Sequence, residues 1–244
     1  MEAIMYTFDS RIRYSECDRE GRLTLEALLN YFQDASTFHS EDLGVGTDYL
    51  KKEHRAWVIN NWQIVFAQAP KLGDRVVIGT FPYEMRGFLG SRNFVMDSLD
   101  GKRYAYANTL WTYMDTDRML PVRVPEYLQQ IYVNEPRLDM DYAPRKLAMP
   151  SDLLEGETIL VRPYHLDTNQ HVNNGQYIRM AMGYLPQGKR VRELRAEFKK
   201  AALLGDTIVT SFAVNPDCVY VSLNDTEGQP YALVQLYLVE ENEG

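Results

Sequence analysis

The sequence predicts an α+β fold made of two copies of one unit, and three observations carry that prediction. Short stretches recur in the same order in the two halves. Each half holds one segment with helical apolar spacing, and each such segment is followed by runs of β-branched and aromatic residues that read as antiparallel strands.

The recurrences are specific in position. Leu72-Gly73-Asp74 returns as Leu204-Gly205-Asp206, and Phe66 stands to Phe198 at the same separation of 132 residues. The segment 100–105 matches 227–232 at a separation of 127, and both read as hairpin turns feeding a last strand. At a separation of 149, Arg13, Asp18 and Leu23 correspond to Arg162, Asp167 and Val172. The shrinking separations imply that the second copy is trimmed in its loops.

Each copy opens with a strand, near 6–14 and 157–165, and passes through a loop into a helix. In the first helix Leu25, Leu28, Leu29, Phe32 and Ala35 form one apolar stripe, with Thr24 as N-cap. In the second, Tyr177, Ile178, Ala181, Met182 and Leu185 do so, with Asn173 or Asn174 as cap. Strands follow around Trp57-Val58-Ile59, at 75–81, at 207–212 and from Tyr231 to Val239. The stretch 117–155 is proline-rich with weak periodicity and reads as the linker, so residues 1–116 form the first domain and 156–244 the second.

Composition narrows the function. A net charge of −8 argues against broad nucleic-acid binding, which needs a basic footprint. The two cysteines, Cys17 and Cys218, are far apart and have no partners at metal-ligand spacing, so neither a disulfide framework nor a zinc site is expected. Residues 1–6 hold neither a basic segment nor an apolar stretch, and no apolar run is long enough to span a bilayer. The expectation is a soluble, untargeted, cytoplasmic chain without a membrane span.

The densest cluster of catalytic-type side chains is the loop entering the second helix, from Tyr164 to Tyr177. His171 suits general-base activation of water near neutral pH, Asp167 suits orientation of that base, and Asn169 suits holding the water or the substrate. The three stand at alternate positions, which in an extended loop aim the same way. A helix start also offers backbone N–H groups to a developing oxyanion. Asp, Asn and Thr equally crowd helix entries as caps and turns, but the corresponding residues of the first copy are Asp18, Glu20 and Arg22. One site per chain is therefore expected, as a monomeric pseudo-dimer or a homodimer, and His39, His54 and His165 receive only structural readings.

The run Asp167-Thr168-Asn169-Gln170-His171-Val172-Asn173-Asn174, followed by Tyr177-Ile178, resembles the strongest motif of the acyl-acyl carrier protein thioesterases of plants and bacteria. Trp57-Val58 with Trp62-Gln63-Ile64, and Trp111 through Arg118 to Val124-Pro125-Glu126, agree, so the resemblance covers nearly the whole chain. It implies a tandem double hotdog, two antiparallel sheets each wrapped around a long central helix, with the acyl cavity in the first unit and catalysis in the second. It also implies Asp167, Asn169 and His171 as catalytic residues, Asn173, Asn174 and Trp57 as substrate contacts, a fatty-acyl thioester substrate, and no metal or cofactor. Plant members carry a Glu-Cys pair where this chain has Ala201-Ala202, so a cysteine nucleophile is excluded there; Glu197 shares strand parity with Ala201, but a solvated strand glutamate is its simpler reading.

The partner implied is acyl carrier protein, which is acidic. Lys189, Arg190, Arg192, Arg195, Lys199 and Lys200, against Glu193 and Glu197, leave +4 in the thirteen residues from Gly188 to Lys200 and are the expected docking surface. The rival readings are an acyl-CoA thioesterase, a non-catalytic acyl-binding module and, more weakly, a dehydratase.

Overall fold

A computed structural model of the chain describes residues 5–241. It divides into two compact units, Met1–Trp62 with Ala67–Tyr142, and Gln63–Phe66 with Ala143–Gly244.

The first unit runs β1 (Tyr6–Arg11), α1 (Leu25–Asp42), α2 (Thr47–Lys52), β2 (Arg55–Phe66, whose last four residues count with the second unit), β3 (Arg75–Arg86), β4 (Leu89–Ser98), β5 (Arg103–Asp115), β6 (Leu120–Pro121) and α3 (Glu126–Ile131). Its strands pair antiparallel, β1 on β3, β3 on β4, β4 on β5 and β5 on β6. The second runs β7 (Leu154–Leu160), α4 (Asn174–Met182), β8 (Lys189–Phe198), β9 (Thr207–Asn215), β10 (Cys218–Asn224) and β11 (Pro230–Glu240), in the antiparallel order β8-β11-β10-β9-β7.

Three expectations change. The described strands belong to one eleven-stranded sheet instead of two, since where a sheet ends is set by strand pairing and not by local sequence pattern. The second helix is not long: α4 has 9 residues against the 18 of α1. It stops because Gly183 caps it and Pro186 cannot continue it, which leaves Leu185 outside. Strands β1 and β7 end at Arg11 and Leu160, before the predicted 14 and 165, because the chain coils into 3-10 turns at Tyr14–Glu16 and Pro163–His165.

Helix α1 forms where its spacing predicts. Thr24 Oγ1 accepts the Ala27 N–H at 3.2 Å, and Leu25, Leu28, Leu29, Phe32 and Ala35 are all buried. The helix packs on β3, and the Phe32 ring is stacked at 6.0 Å from Trp62 and tilted at 5.3 Å from Phe94. Burying a side chain of this size contributes about 1.5–3 kcal/mol. A second cluster, Val45, Tyr113, Val124, Leu128 and Tyr132, gathers α2, β5 and α3, so the segment from 120 to 132 is folded into the first unit.

The segment after Tyr132 is pinned by buried polar side chains. In the first unit Asn93 Oδ1 accepts the Leu138 N–H at 3.1 Å and the Tyr142 hydroxyl at 3.0 Å. In the second, Gln63 Oε1 accepts the Ala143 N–H at 2.9 Å, a Glu197 oxygen accepts the Leu147 N–H at 3.2 Å, and Gln235 donates to the Ala148 carbonyl at 2.6 Å.

One polar cluster in the first unit predicts a pH response. Arg92 is buried, and its guanidinium meets His39 Nδ1 at 3.1 Å and Thr80 Oγ1 at 3.2 Å. A guanidinium only donates, so Nδ1 accepts and the ring is neutral. Burial first, and Arg92 second, push His39 down to about 4. Its stabilising effect is therefore complete above the unfolded-state value of about 6.5 and is lost as pH falls from there towards about 4, where the unfolded chain binds the extra proton. Urea midpoints at about pH 7 and about pH 4.5 should fall further for the wild type than for His39→Gln, and equal falls would contradict this.

Candidate active site

The loop from Arg162 to Asn174 is built on a frame that the first unit builds independently. Val161 donates to the Asp206 carbonyl at 2.8 Å and accepts the Gly205 N–H at 3.2 Å; Ile12 donates to the Asp74 carbonyl at 2.9 Å and accepts the Gly73 N–H at 3.0 Å. Val172 donates to the Ala202 carbonyl at 2.9 Å, as Leu23 does to that of Pro70 at 2.9 Å. Gly73 and Gly205 both have φ of 86°, which only glycine adopts without strain. The recurrence read in the sequence at separations of 132 and 149 is thus a recurrence of backbone hydrogen bonds.

Within this frame Asp167 closes a turn. Its Oδ1 accepts the N–H of Asn169 at 2.8 Å and of His171 at 3.3 Å, while its backbone N–H donates to the His171 carbonyl at 2.8 Å. Asp18 does the same, accepting from Glu20 at 3.0 Å and Arg22 at 2.9 Å and donating to the Arg22 carbonyl at 2.8 Å. The loop is therefore a tight Asx turn and not the extended segment that the alternate spacing suggests, and Gln170 takes the left-handed φ of 62° where the first copy has Gly21 at 73°.

The turn brings Asp167, Asn169 and His171 together by their backbones. The side chains of Asn169 and His171 are exposed, and among the described residues neither is held by a hydrogen bond. What differs between the copies is the pair of side chains presented: Glu20 and Arg22 in one, Asn169 and His171 in the other. An exposed imidazole beside a carboxylate turn can take a proton from a bound water.

The helix start that follows is partly occupied. Asn173 is the N-cap, with Oδ1 accepting the Gly175 N–H at 2.8 Å, so that donor is not open to an oxyanion; Asn174 is the first helical residue. Trp57 lies in the first unit, tilted on Tyr113 at 4.9 Å and covering Gly90, where a Cβ would come within 3.1 Å of its ring.

Glu197 is not solvated. It is buried, bound to Leu147 and paired with Lys199, on the strand face opposite Phe198, whose ring lies 5.9 Å from Tyr177 of α4. The sequence hides this because strand parity does not reveal which face the segment 143–148 covers. At the alanine pair, Ala202 is buried, with its N–H donated to the Tyr177 hydroxyl at 3.0 Å. Cys218 is buried and its thiol pushed up by burial, the opposite of an activated nucleophile.

The predicted docking run is largely paired. Lys189 binds Glu240, Lys199 binds Glu197, Lys200 binds Asp225, and Arg195 binds Glu193 at 2.7 Å while lying over the Tyr237 ring at 4.6 Å. Arg190 and Arg192 occupy the early part of β8. At about 3.3 Å per residue the strand is roughly 30 Å long, so the run is not one patch. Its Lys199-Lys200 end lies nearest the loop, through Ala202.

Among the described residues no group of three or more His, Cys, Asp and Glu side chains could hold a metal ion, and no helix is long and apolar enough to cross a membrane.

The chain matches the models of the acyl-ACP thioesterase N-terminal domain over residues 4–132 and C-terminal domain over 152–229. It is 27% identical over 194 residues to oleoyl-acyl carrier protein thioesterase 1, chloroplastic, of Arabidopsis thaliana, covering 72% of this chain and 53% of that protein. To the chloroplastic acyl-[acyl-carrier-protein] hydrolase FATB1 of Cuphea viscosissima it is 26% identical over 223 residues, 84% of this chain and 53% of that one. The chain thus spans about half the length of these relatives. Among solved structures, an acyl-ACP thioesterase from Bacteroides thetaiotaomicron superposes with a TM-score of 0.87 at 20% identity, covering 96% of this chain and 98% of that one. A 12:0-ACP thioesterase from Umbellularia californica does so at 0.83 and 17%, covering 99% of each. At these identities the two structures speak for the fold alone.

Proposed function

We propose that this chain, which belongs to the acyl-ACP thioesterase family, hydrolyses fatty-acyl thioesters of acyl carrier protein to a free fatty acid and the carrier thiol. The observation that carries the proposal is the duplicated turn: the two copies share the frame, and the second alone presents Asn169 and His171.

His171 takes a proton from water as the water oxygen attacks the thioester carbonyl carbon. The tetrahedral intermediate then expels the sulfur, which leaves as a thiol with the proton held by the imidazole. Asp167 keeps the turn closed and places negative charge beside the imidazolium, while Asn169 and Asn174 hold the water and the thioester. The chain is read as a tandem double hotdog in the cytoplasm, a pseudo-dimer with one site per chain, in which the first copy, with Trp57, shapes the acyl cavity and 117–155 joins the copies. The acidic carrier docks at the basic run 189–200, chiefly at its Lys199-Lys200 end.

Thiol release from a long-chain acyl-acyl carrier protein and from the matching acyl-CoA tests this. Faster release from the carrier protein is expected. Preference for the CoA ester would replace the carrier, and no release from either would leave an acyl-binding module.

A further inference from the structure

The two copies of the frame also differ in the side chain that closes the 3-10 turn ahead of the Asx turn. In the first copy Glu16 closes the 3-10 turn by accepting the Arg13 N–H at 2.8 Å, and its carbonyl accepts the N–H of the cap residue Thr24 at 3.0 Å. In the second copy the same two bonds are made by His165: Nδ1 accepts the Arg162 N–H at 3.0 Å, and its carbonyl accepts the N–H of the cap residue Asn173 at 2.9 Å. His165 is buried, and its two bonds bracket the turn that carries Asp167, Asn169 and His171. A glutamate and a histidine differ in one relevant respect: across the mildly acidic range the carboxylate stays an acceptor, whereas a histidine that gains a proton has none.

We propose that His165 is a positioning residue of the hydrolysis: its unprotonated ring holds the His171 turn in register, and its protonation releases that turn. This rests on the assignment of His171 as the base. The ring must be the Nε2–H tautomer, since Nδ1 is the acceptor. Burial first, and the charge of Arg179 from α4 second, hold the ring below the ordinary histidine range, so it is unprotonated at neutral pH. Within its own loop the neighbouring side chains are Tyr164, at 4.4 Å between ring centroids, and Arg162. With decreasing pH the turn would therefore lose its fastening.

The test compares His165→Ala, His165→Gln and His171→Ala in one assay of thioester hydrolysis, with amide exchange at Arg162 followed in parallel. Glutamine supplies an acceptor that does not titrate. Expected are a fall in kcat of about tenfold or more in the alanine variant with KM little changed, near wild-type kcat at neutral pH in the glutamine variant, and an acid limb that steepens to two protons in the wild type but to one in His165→Gln. The protection factor of Arg162, its exchange referred to the intrinsic rate at each pH, should fall on acidification in the wild type and not in His165→Gln. Wild-type kcat in His165→Ala, a loss in His165→Gln as large as in His165→Ala, or an unchanged acid limb in His165→Gln would overturn the proposal. If the alanine variant does not fold, the glutamine limb and the Arg162 exchange decide. An active His171→Ala would instead remove the assignment of the base, and the exchange readout would still report on His165.

Discussion

His171→Ala is expected to lower turnover by about 10²–10⁴-fold, the range for loss of a general base, while leaving the unfolding midpoint where it was. The second half of that expectation follows from the geometry. His171 serves the fold through its backbone, whose N–H and carbonyl both meet Asp167, and alanine retains both bonds. Its ring is exposed and held by no hydrogen bond among the described residues, so removing it falls in the class of surface changes that shift stability by about 0.5 kcal/mol or less. Initial rates with acyl-acyl carrier protein and a urea melt check the two halves separately. A folded variant with turnover close to wild type would remove His171 from the chemistry.

Asp167 should behave differently, because it belongs to both the fold and the site. Asp167→Ala strips two backbone N–H groups of their acceptor, at a cost of about 1–3 kcal/mol, and should lose turnover with it. Asp18→Ala strips the matching two in the first copy and should cost a similar amount with turnover unchanged. Asp167→Asn keeps an oxygen in place for the turn but removes the charge beside His171. It is expected to retain the midpoint and lose about tenfold or more in turnover. Full turnover in Asp167→Asn would reduce the residue to a turn former, and loss of turnover in Asp18→Ala would place the first copy in the site.

Much of this was legible in the residues. The stripe Leu25, Leu28, Leu29, Phe32, Ala35 and the Thr24 cap specify α1 locally, and the glycine-acidic turns at 73–74 and 205–206 announce the repeated frame because few residues tolerate φ near 86°. What escaped depends on closure or pairing across the chain. The spacing of Asp167, Asn169 and His171 suggests an extended loop, since nothing in it shows that the carboxylate folds back on two amides. The charge count over 188–200 overlooks Glu240 and Asp225, which come from other strands and pair with Lys189 and Lys200. The repeat predicts two sheets where one is found, because local patterning specifies strands and not how far their pairing extends. His165 was readable in principle: the separation of 149 that aligns Asp18 with Asp167 also aligns Glu16 with it.

If one copy of the duplicated frame carries the site, each chain binds one substrate. Titrating the wild-type chain with a non-hydrolysable acyl-pantetheine thioether, and counting molecules bound per chain by calorimetry, separates one site from two. One molecule per chain is expected, with binding abolished or weakened by changes in the 165–174 loop and indifferent to Asp18→Ala. Two equivalent molecules per chain would mean that both copies are sites.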